Sequence, residues 1–219
     1  LIIFDEIQFS NHALNALKYF NEQGNQYHLA CAGSLLGIKM SQPNSFPVGK
    51  VNFLELYPLT FLEFLDAVEE KGLRKIIEET ADFVPYPEPF HKKFIDILKK
   101  YFFVGGMPEA VKVYCERENY NEVRQIQKEI NDSYVLDFAK HAVPSNIVKQ
   151  TVLWESIPGQ LGKENKKFIF SAIKKSARGR EYENAIQWLE DAGLIIRAFL
   201  VSTGRPPLKT YADRSSFKV

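Results

Sequence analysis

Apolar and polar positions follow three regimes along this chain. It opens on a short continuous apolar run, Leu1-Ile2-Ile3-Phe4, rich in β-branched residues, which predicts a strand buried on both faces. Ser10 then offers a cap for a helix in which Ala13, Leu14, Leu17 and Phe20 recur at helical spacing, and Gly24 ends it. Tyr27 to Ala32 reads as a second buried strand closed by Gly33. A polar loop runs through Pro47, and Val51 to Tyr57 reads as a third strand. Strands separated by a helix and a long loop predict a parallel sheet with crossover connections. Three strands are too few for a covered sheet, so further strands are expected to precede Leu1.

From Pro58 the period changes from two to that of a helix. Thr60 with Glu63 forms a capping box ahead of Phe61, Leu62, Phe64, Leu65 and Val68. A second helix is expected over about Leu73 to Ala81. A third starts near Pro89 and carries Phe90, Phe94, Ile97, Leu98 and Tyr101 in one stripe. Gly105-Gly106 breaks it and Pro108 begins a fourth. The aromatics Tyr101, Phe102 and Phe103 are assigned to the core, and Val123 to Ala139 is a long amphipathic stretch.

The third regime predicts helices at about 146–157, 166–176 and 180–192. Gly193, the apolar run Leu194 to Val201, a turn from Ser202 to Pro207 and a return strand from Leu208 to Tyr211 complete it. Three helices followed by a two-stranded hairpin is the arrangement of a winged helix.

Charge sharpens that division. The chain's 28 Lys and Arg nearly cancel its 27 Asp and Glu, so it is no overall polycation. The balance is uneven, however: residues 140–219 hold 14 basic against 7 acidic side chains, and the first 139 hold 14 against 20. Opposite charge on two stretches points to separate modules. Two isolated cysteines, Cys31 and Cys115, make neither a disulfide framework nor a zinc site and suit a reducing cytoplasm. No apolar run approaches the roughly 20 residues of a membrane helix, so no membrane partner is expected. His12, His28, His91 and His141 lack metal-ligand spacing.

Chemistry concentrates first at the end of the opening strand. Four apolar residues followed by Asp5-Glu6 form a Walker B pattern, with the acids held at a strand's C-terminal edge, where ligands bind in open α/β sheets. Asp5 suits a Mg²⁺ site, reached through the ion's waters, and Glu6 suits the base that orients the water attacking a γ-phosphate. The same pattern also describes a buried strand that ends in two solvated acids. Ser34, one strand on, suits either a polar contact to phosphate or an ordinary helix cap. Gly105, Gly106 and Pro108 suit helix punctuation, Gly stopping one helix and Pro starting the next.

Together these segments resemble the prokaryotic AAA-type P-loop ATPases in which the nucleotide domain is followed by a helical lid, a winged helix and an endonuclease-like C-terminal domain of unknown function. The resemblance rests on Leu1 to Gln8, Gly33-Ser34, Val48-Gly49-Lys50, Leu56 to Leu65, Val104 to Ala110, Asp132 to Asp137 and Glu190 to Asp213. It implies catalytic roles for Glu6 and for Ser34 as sensor 1. It also implies nucleotide contacts from Asp5, Gly105, Gly106 and Pro108, with Asp5 the metal residue. The family usually has Arg where Lys50 stands, and no Gly-x-x-x-x-Gly-Lys-Ser or Thr loop occurs in the 219 residues. Such a loop supplies most phosphate binding, so ATP and Mg²⁺ are expected only in a longer protein, and this chain is expected to be inactive alone.

The implied fold is α/β plus mainly α, the C-terminal half of a parallel-sheet nucleotide domain with both chain ends cut. The expected divisions are 1–60 (partial nucleotide-binding domain), 61–118 (lid), 119–145 (linking helix) and 146–219 (winged helix and the start of a truncated C-terminal domain). The basic module contributes Lys166, Lys167, Lys174, Lys175, Arg178, Arg180 and Arg205 as candidate phosphate contacts to duplex DNA. The other reading of those residues is a solvated face that docks protein. An ATP-driven switch and a non-catalytic DNA-binding or protein-interaction module therefore both stand, with a homo-oligomer as a candidate assembly.

Overall fold

The computed structural model describes residues 1–24, 26–33, 49–80, 84–141 and 144–219. It is mixed α/β and mostly helical, with small sheets. It divides into two compact units, one made of Leu1–Phe53 with Phe138–Val219 and the other of Leu54–Asp137.

In the first unit, β1 (Ile2–Phe4) and β2 (Leu29–Cys31) pair in parallel, with Ile2 opposite Leu29 and Phe4 opposite Cys31. The crossover is α1 (Asn11–Gln23), whose first turn is capped by the Ser10 hydroxyl accepting from the Ala13 N–H at 3.2 Å. Helical spacing turns Leu14 and Leu17 inward, where with Ile7 they pack on Phe4, Leu29, Cys31 and Val51. That covers one face of the sheet. On the other, Ile3 is 65% exposed.

The expected third strand is not formed. Val51 to Tyr57 carries no regular structure, and Leu54 and Leu56 stand 96% and 97% exposed. A strand is defined by its ladder, and among the described residues this segment has no strand beside it. Its β-type composition expresses only a capacity to pair.

The second unit is a helical bundle of α2 (Phe61–Ala67), α3 (Lys71–Glu79), α4 (Glu88–Val104), α5 (Pro108–Arg117) and the greater part of α6 (Tyr120–His141). The capping box forms as the sequence predicts: Thr60 accepts from the Glu63 N–H, and the Glu63 carboxylate accepts from the Thr60 N–H. Phe64, Leu65, Leu73, Phe94, Ile97, Val104, Val111, Tyr114 and Val123 are the buried centre. The second expected helix begins two residues earlier and ends two earlier, because Glu70 already accepts the first turn's N–H groups. Phe102 and Phe103 correct the sequence reading: only Tyr101 turns inward, and Phe102 is 75% exposed. The stripe through Phe94, Ile97, Tyr101 and Val104 fixes which face is buried and rotates Phe102 onto the opposite one.

In the C-terminal part of the first unit, α7 (Pro144–Leu161) packs on α8 (Gly179–Asp191). Phe138, Leu153, Ile186 and Leu189 are buried, and Trp154 and Trp188 meet Phe138 edge-on. Instead of the expected helix over 166–176, a single 3₁₀ turn spans Phe170–Ala172. Here long-range bonds outcompete helical ones. The Phe168 N–H donates to the Phe217 carbonyl at 2.8 Å and the Ile169 N–H to Gln160 Oε1 at 2.6 Å. Phe168 and Phe170 both reach Phe217, as alternate residues of an extended segment can.

The hairpin pairs β3 (Ala198–Val201) antiparallel with β4 (Ala212–Lys218), with a register irregularity between Phe199 and Leu200. The return strand therefore lies beyond the expected Leu208–Tyr211, which forms a 3₁₀ turn. Its polar sequence, Ala-Asp-Arg-Ser-Ser-Phe-Lys, hides it from hydrophobic alternation; Phe217 is the residue that anchors it.

Gln150, at mid-α7, is 1% exposed and neither side-chain amide atom has a partner among the described residues. An unmade hydrogen bond of this kind costs about 1–3 kcal/mol. Replacing Gln150 by Met, of similar length, is expected to raise stability by at least about 1 kcal/mol. Denaturant unfolding of both chains checks this, and an unchanged or lowered midpoint is the contrary result.

Candidate functional site

The parallel ladder fixes where the first pair of acids sits. Beyond β1 and β2 it continues through the Ala32 N–H to the Phe4 carbonyl (2.8 Å) and the Ile7 N–H to the Ala32 carbonyl (3.1 Å). Asp5 and Glu6 lie between these two bonds, at the C-terminal edge of the strand pair, and both are exposed. Asp5 Oδ1 accepts the Glu6 N–H at 3.0 Å. Glu6 takes the left-handed conformation (φ 51°, ψ 41°), uncommon for a residue with a side chain. Its carboxylate accepts from the side-chain amide of Gln8, which is itself buried. Backbone and a buried amide thus hold both acids, rather than leaving them as loose surface charges. Ser34 lies outside the described residues.

This donor set suits half of a nucleotide site. Mg²⁺ keeps several waters and needs only one or two protein carboxylates alongside phosphate oxygens, which Asp5 with Glu6 can offer. No group of three His, Cys, Asp or Glu able to hold a metal by itself occurs among the described residues. For the triphosphate the residues present do not fit: two carboxylates repel it, and the sequence holds no phosphate loop.

The glycine pair belongs to the second unit and has structural duties there. Gly105 has φ 76° and ψ −172°, a region essentially confined to glycine. Gly106 lies against the backbone of Leu59: a Cβ on it would fall 2.2 Å from the Leu59 carbonyl oxygen. The Leu59 N–H donates to the Gly106 carbonyl at 2.7 Å, and the Tyr101 hydroxyl donates to the Leu59 carbonyl at 2.7 Å. One residue later, hydrogen bonds from Thr60 hold the Glu63 carboxyl below the usual glutamate range. Burial, then the nearby Glu63 charge, raises the Tyr101 phenol. Pro108 is exposed as the first residue of α5. The two glycines are thus accounted for by helix geometry and by this clasp on Leu59, which the sequence reading missed; a Tyr one turn before a Gly-Gly break was its signal.

The basic candidates separate into two kinds. Lys166 is committed, its Nζ donating to the Leu161 carbonyl at the end of α7 at 2.7 Å. Lys167 is exposed, and its charge contributes in a minor way to holding Asp213 low, after the hydrogen bonds from Ser215. Lys174, Lys175, Arg178 and Arg180 are exposed around the start of α8, and Arg205 is exposed in the hairpin connection. Arg197, which the sequence reading passed over, is half-buried. It donates to Glu190 Oε2 and to Gln187 Oε1 (2.6 Å) and lies over Phe199 and Phe217 at 5.3 and 5.7 Å. A lone Arg inside an apolar run was the available sign of such a buried pair.

Compared with known proteins, residues 1–65 match a family model described as an AAA domain, so this stretch is similar to an AAA-type domain. Residues 95–219, more than half of the chain, match the family described as Domain of unknown function (DUF8612), and the chain belongs to that family. No curated protein and no solved structure matches it. No helix among the described residues is long and apolar enough to cross a membrane.

The clasp predicts how Gly106→Ala behaves. With backbone on the far side of the contact, overpacking is expected to lower stability by about 1–3 kcal/mol. Gly105→Ala, which forces a side chain into a glycine-only conformation, is expected to fall in the same range of about 1–3 kcal/mol. Denaturant unfolding without nucleotide measures both; wild-type midpoints contradict the structural account.

Proposed function

We propose that residues 1–65 provide the metal- and water-handling half of an AAA-type nucleotide site, in a protein that couples ATP binding and hydrolysis to a conformational switch. The observation that carries this reading is the parallel β1–β2 pair ending in the braced acids Asp5 and Glu6, within the segment that matches an AAA domain. Asp5 would hold Mg²⁺ through the ion's waters. Glu6, steadied by Gln8, would orient a water and accept its proton once a phosphate loop supplied the nucleotide. In this reading residues 61–118 act as a helical lid, 119–145 as a linking helix, and 146–219 as a winged helix, its middle helix reduced to the 3₁₀ turn Phe170–Ala172, with the start of a further domain. Bound ATP supplies the phosphoryl group; the phosphate loop that holds it is not among these 219 residues.

The 219-residue chain is therefore expected to show no ATP hydrolysis and, at best, ATP binding weaker than about 1 mM, near 4 kcal/mol of binding free energy. Micromolar binding by calorimetry contradicts the reading. In a chain that also carries a phosphate loop, Glu6→Gln is expected to slow turnover by roughly 10²–10⁴ while retaining bound ATP. Unchanged turnover removes Glu6 as the base.

A second reading, duplex DNA contact by residues 146–219, is favoured by Lys174, Lys175, Arg178 and Arg180, exposed together around the start of α8, and by Arg205. If about four of these reach phosphates, raising salt from about 50 to 200 mM is expected to weaken binding by roughly two powers of ten. Reversing Lys174, Lys175 and Arg178 to Glu is expected to abolish it without loss of fold. A gel-shift series checks both. Binding without salt dependence, or none at low salt, leaves this surface to protein partners.

A further inference from the structure

The second unit carries two accessible surfaces that are opposite in character. On the solvent face of α4, Ile95, Lys99 and Phe102 follow one another at helical spacing, i, i+4 and i+7, and Phe102 is 75% exposed. Phe103 is half exposed beside them, and Lys92 stands further along the same face. Aromatic side chains, Phe among them, are enriched in the buried centres of protein interfaces. Between α5 and α6 lies an open cavity of about 370 Å³. Ile126, Ile130 and Tyr134 line it together with Ser133, and Glu109, Glu129 and Asp137 give it negative charge. One Glu129 oxygen accepts from the Gln125 amide at 2.8 Å, which leaves the carboxylate's charge intact.

We propose that these surfaces are the two halves of one contact between copies of this chain: Phe102 of one copy enters the α5–α6 cavity of the second, and Lys99 meets Glu129 or Glu109 there. Ile126 and Ile130 offer the ring apolar contact, and the surrounding acids match the lysine that precedes it by one helical turn. A second copy is favoured over an unrelated acidic partner because both complementary surfaces belong to the same unit. They also lie at one end of it. Gln127, between Ile126 and Ile130 on α6, donates to the carbonyls of Phe103 and Val104 at 2.8 and 2.9 Å. A two-fold axis therefore lets each copy give an anchor and receive one, making the contact twice. This proposal does not depend on nucleotide binding.

Sedimentation velocity of the full 219-residue chain from about 1 to 200 µM tests it, a range that spans dissociation free energies of roughly 5–8 kcal/mol. A salt-sensitive dimer is expected. Lys99→Glu and Glu129→Lys, each alone, are expected to raise the dissociation constant at least about tenfold, and Phe102→Ala by more, about thirtyfold. The double variant Lys99→Glu with Glu129→Lys restores the charge pairing in the opposite sense, and its dissociation constant is expected to return toward the wild-type value. These side chains are exposed or line an open cavity, and circular dichroism verifies that each variant keeps its helices. A monomer throughout the range overturns the proposal. So does a dimer that ignores the single reversals, which would be using another face such as that of Ile3, or a double variant no tighter than either single one.

Discussion

The parallel pairing of β1 with β2 is the constraint on which the chemistry of this chain depends. Three residue pairs, Ile2–Leu29 to Phe4–Cys31, fix the end of an apolar strand, and two further backbone bonds through Ala32 carry the order past Asp5 and Glu6. A one-residue slip would send Ile3 inward and turn Phe4 away from Leu14 and Leu17. The hydrophobic contact with α1 therefore sets the register, and the register sets the acids. The price appears on the other face, where Ile3 stays in solvent although parallel sheets are normally covered on both sides.

In the second unit the corresponding constraint is the approach of Gly106 to the backbone of Leu59. It joins the α4–α5 corner to the residue just before the Thr60 capping box, so that one short stretch is held by a backbone bond, a tyrosine hydroxyl and a reciprocal cap. Glycine at 105 and 106 is required by this geometry with no ligand present. The glycines are therefore not independent signs of a nucleotide site. The weight of the nucleotide reading rests on Asp5 and Glu6.

Elements whose information is local were legible in the sequence. Ser10, Thr60 with Glu63, Pro108 and the stripe through Phe94, Ile97 and Tyr101 each act within a turn or two of helix, and each does what its chemistry predicts. Apart from Phe102 and Phe103, which the phase of their own helix turns outward, the failures are non-local. Val51 to Tyr57 has strand composition but no strand to pair with among the described residues. Residues 166–176 give up helical bonds for Gln160 and Phe217. The strand Ala212–Lys218 is polar along most of its length and owes its place to Phe217. At the candidate site, the two acids could be read from the run before them, whereas Gln8 as their brace could not, because a glutamine two residues away has no pattern of its own.

Charge counting meets a similar limit. The excess of positive charge in residues 140–219 suggests a broad surface for phosphate, yet the cations are not equivalent. Lys166 closes the end of α7 on the Leu161 carbonyl, and Arg197 is spent on Glu190, Gln187 and two aromatic rings. Neither can neutralise a phosphate without giving up a contact that holds its own module together, so their contribution to salt-dependent binding is smaller than their charge implies. Among the candidate cations, Lys167, Lys174, Lys175, Arg178, Arg180 and Arg205 are exposed and leave their charge available to a partner. Arg178 and Arg180 sit where the partial positive charge of the helix terminus adds to their own. An anion approaching there meets side chains and helix dipole together, whereas without one the same charges repel each other, which is a physical reason to expect that surface to seek a partner.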